Sequence, residues 1–271
     1  MLDQILERFW QHRDRQAMAR LLTIIGRDEH VDEIRAWLDA RTAKGLDDAN
    51  VSVGSELGSG PGCDIAPRCR VVAVTGSGGV GKSTLIGKLI EVARSRAESL
   101  AVLACDPQSS LTGGALLGDR IRMPSRPDDL GVFIRSLATP SGHEAIAPNI
   151  DLMIRLLCIF GFGTVVLETA GAGQGDTAVR RVADVVVVLV QPETGDELQW
   201  EKAGLLEVAD IVVVNKADLP GADHVESQLR ELLNLPGCRP VPVLRVSSSR
   251  SQGLDELWRT IESRAVRTGG A

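Results

Sequence analysis

The sequence has no tyrosine, and four phenylalanines and four tryptophans are its only aromatic residues in 271. That leaves few flat rings on which unpaired bases could stack. Basic residues are outnumbered, 30 Lys and Arg against 36 Asp and Glu for a formal charge of -6, so no broad cationic footprint for a phosphate backbone is expected. No nucleic-acid partner is expected. Long apolar runs are missing too: the longest purely aliphatic one, VVVVLV from Val185 to Val190, falls well short of the ~20 residues that span a bilayer. The first twenty residues mix both charge signs, with Asp3, Glu7 and Asp14 among them and no apolar core, unlike a secretory or transit peptide. The expectation is a cytoplasmic chain with no membrane partner.

Cysteine is scarce and odd in number, at positions 63, 69, 105, 158 and 238, which in a chain this long fits reduced thiols better than a disulfide framework. Cys63 and Cys69 flank Asp64 and could hold a metal. With no second Cys/His pair nearby, two free thiols in a linker are the simpler reading.

What is present is an alternation of two periodicities. Ala17, Leu21, Leu22 and Ile25 share one helical face, as do Val31, Ile34, Trp37 and Leu38, with Asp28 a candidate cap between them. Residues 1–48 thus form a helical extension, and the Gly- and Ser-rich stretch 49–69 a flexible linker. From residue 70 to 271, runs apolar at every position (VVAVT 71–75, LAVLAC 100–105, TVVLET 164–169, VVVVLV 185–190, IVVVN 211–215, VPVLRV 241–246) alternate with helical patterns. Strands buried on both faces have that signature, so the fold class is α/β, a doubly wound, mostly parallel sheet with helices on both faces. Ligands of such sheets sit beyond the carboxyl ends of the strands.

The first run is followed by Gly76-Ser77-Gly78-Gly79-Val80-Gly81-Lys82-Ser83-Thr84, a complete GxxxxGK[ST] between a strand and a helix. The backbone N–H groups of Gly78, Gly79, Val80 and Gly81 can turn onto phosphate oxygens, and Lys82 can neutralise the β/γ charge. The Ser83 hydroxyl can ligate Mg²⁺, with Thr84 beside it. That motif does not choose between ATP and GTP. The fifth run ends in Asn215-Lys216-Ala217-Asp218, where a carboxylate at Asp218 can accept from both N1–H and the 2-amino group of guanine. Adenine has neither donor and would leave the carboxylate unpaired. Ser247, Ser248 and Ser249, after the sixth run, would then edge the base; the alternative is an ordinary Ser-rich loop.

Mg²⁺ takes oxygen ligands, and three acids follow strand ends or nearby loops: Asp106, Asp119 and Glu168. Asp106 can also be read as a helix cap and Asp119 as a solvated loop acid. Glu168 closes a buried strand, where a carboxylate is costly without a partner, and Gly171 after it would let an N–H approach the γ-phosphate.

Together these motifs resemble the MeaB/ArgK family of P-loop GTPases, within the SIMIBI class of metallochaperone GTPases that use Glu where small GTPases use Asp. The resemblance rests on GSGGVGKSTLI (76–86), CDPQSSLTGGALLGDRIRM (105–123), FIRS (133–136), ETAGAGQGD (168–176), GDELQWEKAG (195–204) and NKAD. It implies a GTP-binding, GTP-hydrolysing chaperone that gates adenosylcobalamin loading and protects or reactivates a cobalamin-dependent acyl-CoA mutase, typically methylmalonyl-CoA mutase. By position it gives Lys82, Glu168 and Gly171 catalytic parts and Ser83, Asp106, Asp119 and Glu168 the metal side. Asp196, Glu197, Gln199 and Lys202 would form a third switch; the bland reading of that stretch is an amphipathic helix start. Arg120, Arg122 or Arg135 would offer a cationic contact, while Gln174 lies two positions too far to place water as in DTAGQ.

Departures qualify this. Cys105 and Gln108 replace the family's Val and Ser, Pro148 breaks a longer helix, and after LWRTIESRA the sequence reaches Ala271 without the helical extension through which family members commonly dimerise. A homodimer by another surface, or a mutase subunit in that role, is then the expectation. The competing readings are a nickel-insertion GTPase of the urease or hydrogenase accessory type, whose Cys/His sites the scattered His12, His30, His143 and His224 do not supply, and a non-hydrolysing module or small-molecule kinase.

Overall fold

Buried strands without polar breaks pair where both faces can be covered, and here such strands form the middle of a parallel sheet of seven. A computed structural model describes residues 1–48, 69–107, 129–139, 145–170, 176–192, 203–235 and 239–266. Compact packing divides the chain into two units, Arg70–Ala147 with Thr164–Ala271, and Met1–Cys69 with Pro148–Gly163.

In the first of these, β1 (Arg70–Gly76), β2 (Leu100–Pro107), β3 (Val132–Thr139), β4 (Thr164–Glu168), β5 (Val185–Val190), β6 (Ile211–Val214) and β7 (Val243–Arg245) form one sheet in the order β3-β2-β4-β1-β5-β6-β7. Every pairing is parallel. From β1 the chain winds outward to β2 and β3, returns through β4, and then crosses to β5, β6 and β7. Right-handed crossovers in opposite directions put helices on opposite faces. They also open a crevice where the connections from β1 and β4 diverge, at the carboxyl ends of two neighbouring strands. Helix α4 (Lys82–Ser95) follows β1, and α9 (Leu254–Glu262) closes the described chain. Leu85, Ile86 and Leu89 of α4 and Leu257 and Trp258 of α9 pack with Val72, Val74, Val102 and Val166 in one buried cluster.

Six of the seven strands coincide with the apolar runs. The seventh, β3, carries Arg135 and Ser136 in its middle, where it is only partly buried, because it pairs only with β2 at one edge of the sheet. β7 is shorter than its run: Pro242 has no N–H to give, and only its carbonyl joins the sheet, accepting from Val212 N at 2.9 Å.

The second unit holds α1 (Leu2–His12), α2 (Arg15–Gly26), α3 (Val31–Asp48) and α5 (Ile150–Phe160). Ala17, Leu21, Leu22 and Ile25 are buried as their spacing predicts. Phe9 of α1 stacks on Phe160 of α5 at 6.3 Å between centroids. Asp28 does not cap α3, which begins three residues later at Val31; it accepts from Asn149 Nδ2 at 2.9 Å. The side-chain cap belongs to Asp14, whose Oδ1 accepts from Gln16 N at 2.8 Å and Ala17 N at 3.2 Å.

The cysteines correct the expectation of reduced thiols. Cys69 is disulfide-bonded to Cys158, with Cα atoms 5.3 Å apart, because the last turn of α5 comes beside the residue that precedes β1. The sulfur of Cys69 is thereby taken from any pairing with Cys63, which lies outside the described residues together with the rest of 49–68. Among the described residues no helix is long and apolar enough to cross a membrane.

Candidate functional site

The loop from Gly76 to Gly81 starts at the end of β1 and finishes as the N-cap of α4. Two of its glycines have no room for a side chain. A Cβ on Gly76, at φ 149°, would lie 2.6 Å from Leu189 O, and one on Gly81, at φ 95°, would lie 2.7 Å from Asn215 Nδ2. A Cβ on Gly78 or Gly79 would meet nothing within 4 Å. The loop is thus pressed against the sheet at both ends and open between them. No acidic residue stands in the first turn of α4, so the positive end of that helix faces the open stretch without a carboxylate of its own.

Lys82 folds back under this loop, its Nζ donating to Gly76 O at 3.0 Å and Ser77 O at 3.2 Å. Ser83, next along α4, is 7% exposed and donates from Oγ to Glu168 Oε1 at 2.7 Å; Glu168 is 3% exposed. The sheet explains their meeting, because Glu168 is the last residue of β4 and stands in register with Val74 of β1 and Ala104 of β2. Thr84 is exposed at the helix start. A buried hydroxyl and carboxylate supply only oxygen atoms, the donor set that a hard divalent cation takes. Asp106 lies in β2 with its Cα opposite Ala138, two residues beyond Ala104. Its side chain, and Asp119, Gly171, Gln174, Arg120, Arg122 and the Asp196–Lys202 stretch, lie outside the described residues.

The loop after β6 joins the same site. Asn215 is 1% exposed, donates from Nδ2 to Val80 O at 2.8 Å, and accepts at Oδ1 from Ser248 Oγ at 3.2 Å. One side chain therefore ties the loop after β1 to the loops after β6 and β7. Lys216 takes a left-handed backbone, φ 55°, and Ala217 N donates to Val246 O at 3.0 Å. Asp218 then receives the hydroxyl of Ser247 on Oδ1, with Ser249 Oγ 3.5 Å from the same oxygen and Arg250 Nε 3.8 Å from Oδ2. The Ser247 hydroxyl is the largest influence holding the Asp218 carboxyl below the ordinary aspartate range, against its partial desolvation; the charge of Arg250 adds to it.

Sequence reasoning named Val80 for its N–H but missed the part its carbonyl plays, and it missed Arg250, Thr75 and Thr169. Val80 matters through its carbonyl, which no side-chain pattern encodes. Arg250 follows the Ser triplet directly, where an arginine in a loop carries no signal of its own. Thr75 and Thr169, the last residues of the first and third apolar runs, share a buried hydroxyl contact of 3.0 Å. A cavity of about 310 Å³ between Arg230, Asn234 and Pro240–Val243 lies at the other, amino-terminal end of β7, away from these loops.

With this geometry in place, comparison with known proteins is informative. The family model described as methylmalonyl Co-A mutase-associated GTPase MeaB matches residues 63–270. A protein of Pyrococcus abyssi is 38% identical over 270 residues, covering 97% of this chain and 75% of its own length. A fused isobutyryl-CoA mutase of Nocardia farcinica is 44% identical over 167 residues, 60% of this chain and 15% of that protein. Among solved structures, an LAO/AO transport system kinase shares the fold, with a TM-score of 0.59 at 23% identity over 96% of this chain and 74% of that one.

Proposed function

The chain belongs to the MeaB family of methylmalonyl-CoA mutase-associated GTPases, and from that premise we propose that it binds GTP and hydrolyses it in the service of a cobalamin-dependent acyl-CoA mutase, in the cytoplasm. In this reading it gates adenosylcobalamin loading and protects or reactivates the mutase. The observation that carries the nucleotide half is the Asn215 bridge, which holds a phosphate-type loop and a guanine-type loop in one rigid frame.

Each part then has a task. The N–H groups of Gly78, Gly79, Val80 and Gly81 and the start of α4 hold the phosphates, with Thr84 at the rim. Lys82 swings from its carbonyl partners onto the β- and γ-phosphate oxygens. Asp218 accepts from N1–H and the 2-amino group of guanine, its orientation fixed by Ser247 and Ser249, while Lys216 and Ser248 flank the base. Ser83 and Glu168 would hold Mg²⁺ or its water shell, joined by Asp106 and Asp119; the ion supplies charge neutralisation at the β- and γ-phosphate oxygens. Hydrolysis is in-line attack of water on the γ-phosphorus. The bond to the β–γ bridging oxygen breaks, GDP departs, and inorganic phosphate and a proton are released. Lys82 stabilises the spread charge, and Gly171 offers an N–H to the γ-phosphate.

The mutase half rests on kinship. A homologous segment occurs inside one polypeptide with an isobutyryl-CoA mutase in Nocardia farcinica, a fusion that makes contact intramolecular and raises its effective concentration. Residues 1–48, 49–69 and 70–271 would serve as helical extension, linker and GTPase domain, with Asp196, Glu197, Gln199 and Lys202 as the stretch that reports to the mutase.

The test is phosphate release from GTP and ATP side by side, with and without a cobalamin-dependent mutase. GTP should be the preferred substrate and the mutase should accelerate turnover. Asp218→Asn should weaken GTP and favour xanthosine triphosphate, whose 2-oxo group accepts from the new amide. Equal use of ATP and GTP, or an Asp218→Asn chain with unchanged base preference, would sink the nucleotide assignment; a mutase that neither binds nor accelerates would sink the chaperone assignment.

A further inference from the structure

The end of β4 is gripped on both faces, and the proposed mechanism uses only one of them. Successive side chains of a strand alternate between faces. Val166 lies with Val72 and Val74 in the cluster that includes α4, and Glu168 continues that face to reach Ser83 of α4. Thr169, one residue on, turns to the opposite face. There its Oγ1 meets Thr75 Oγ1 at 3.0 Å, both residues at most 1% exposed, while its N–H donates to Val74 O at 3.2 Å. The next residue, Ala170, donates its N–H to Ala145 O at 3.2 Å.

The hydroxyls need an explanation. A β-branched valine would fill the same volume in a strand without a polar group to desolvate, and β1 and β4 use valine freely at neighbouring positions. Each threonine also borders a working part. Thr75 precedes Gly76, whose carbonyl receives Lys82 Nζ and which is wedged against Leu189 O. Thr169 follows Glu168 and stands two residues before Gly171 in the sequence. The hydroxyl contact therefore links the lysine end of the site to its carboxylate end along a short route: Lys82, Gly76, Thr75, Thr169, Glu168.

We propose that Thr169, through its hydroxyl bond to Thr75, is a positioning residue for GTP hydrolysis, holding Glu168 and the backbone that follows it in register with the Gly76–Ser77 loop whose carbonyls receive Lys82. It touches neither nucleotide nor reacting atoms and rests on the GTPase reading above. Removing the hydroxyl leaves the phosphate loop, the Asn215 bridge and the guanine contacts in place, so ground-state binding persists. Only the alignment needed as charge develops is loosened, which lowers kcat with little change in KM.

The experiment uses the full chain with Mg²⁺ and GTP, in single turnover with protein in excess and in steady state. Thr169→Val and Thr75→Val should each lose roughly tenfold in the hydrolysis rate, with KM for GTP and affinity for fluorescent GDP within about twofold of the parent. Thr169→Ser restores the hydroxyl and should recover most of the rate. The double valine variant should be no slower than either single one, since both remove the same bond. A merely structural pair would lower melting temperature with unchanged kcat, and that result overturns the proposal. So does a Thr169→Ser chain as slow as Thr169→Val, or a double variant whose losses multiply. If Thr169→Val does not fold, as unfolded melts and absent GDP binding would show, Thr75→Val and Thr75→Ser carry the same comparison. A parent that hydrolyses GTP beside an unimpaired valine variant sinks this inference alone; a parent inert toward GTP sinks the functional reading and this one with it.

Discussion

Asn215 Nδ2 and Val80 O lie 2.8 Å apart although 135 positions separate them in the chain, and the carbonyl belongs to the very loop that the sequence marks for phosphate. The Asn215 amide is spent on the protein: its nitrogen goes to Val80 and its oxygen to Ser248. It acts as a fastener between two halves of a nucleotide site. Asn215→Ala should leave a buried carbonyl and a buried hydroxyl unsatisfied, at about 1–3 kcal/mol. Because the loop is released as well, affinity for fluorescent GDP should fall by roughly 10- to 100-fold. Titration by fluorescence alongside a thermal melt checks this; a lower melting temperature with intact affinity would show that the bond serves stability alone.

Glu168→Gln separates charge from shape. Gln Oε1 still accepts from Ser83, so the chain should fold and melt at or above the parent temperature, since a neutral amide is cheaper to bury than a carboxylate. What disappears is the negative charge facing the proposed cation site. Hydrolysis should drop by about 10- to 100-fold and need more Mg²⁺ for half-maximal rate, while GDP binding without Mg²⁺ stays within about twofold. A Mg²⁺ titration that superposes on the parent's would remove Glu168 from the metal side.

The Cys69–Cys158 bridge closes a loop of 89 residues in sequence separation that includes β1, the phosphate loop and β2. Non-reducing peptide mapping of the oxidised chain should recover a linked Cys69–Cys158 peptide, and Cys105, a buried thiol outside any disulfide, should alkylate only after denaturation. Reduction, or Cys158→Ser, should cost about 2–5 kcal/mol against unfolding. Equal melts of oxidised and reduced protein would show that the bridge adds no stability.

How far these relations could be read from the sequence depends on the distance over which each is encoded. The phosphate loop and the NKAD loop are local, because glycine is required where backbone or an amide presses within 3 Å, as at Gly76 and Gly81. Interior strands were legible for the same reason: both faces of β4, β5 and β6 are buried, and every residue records it. β3 was not, since an edge strand tolerates Arg135 and Ser136. The disulfide, the Asn215–Val80 bond and the threonine pair join positions 89, 135 and 94 residues apart. Tertiary packing alone brings them together. Asp28 shows the converse failure: a residue of the right type before a helix took a tertiary partner, Asn149, in place of the cap.

A repeated device at the other ends of the strands yields a pH prediction. Ala183-Asp184 leads into β5 and Ala209-Asp210 into β6, and each aspartate seizes the strand next door. Asp184 Oδ2 accepts from Val71 N at 2.8 Å and Asp210 Oδ2 from Val186 N at 2.9 Å, while their own N–H groups donate to Val71 O and Val186 O. Asp210 also meets Arg180 of α6 (Asp176–Val182) and Arg239, the latter at 3.1 Å. Burial alone would lift its carboxyl, but the bonds from Arg180 and Val186 N and the two guanidinium charges outweigh it and hold the carboxyl below the ordinary range. A carboxyl lowered on folding stabilises the folded chain above its unfolded value, about 3.9, and that contribution is lost as pH falls through the lower folded value. Asp210→Asn should therefore cost ~2–3 kcal/mol at pH 7, where a charge-assisted bond network is broken. The gap between parent and variant should narrow steadily below about pH 4. Urea unfolding of both chains from pH 7 down to pH 3 measures it; a gap that is constant with pH would mean that Asp210 acts through shape and neutral hydrogen bonds, its charge contributing nothing.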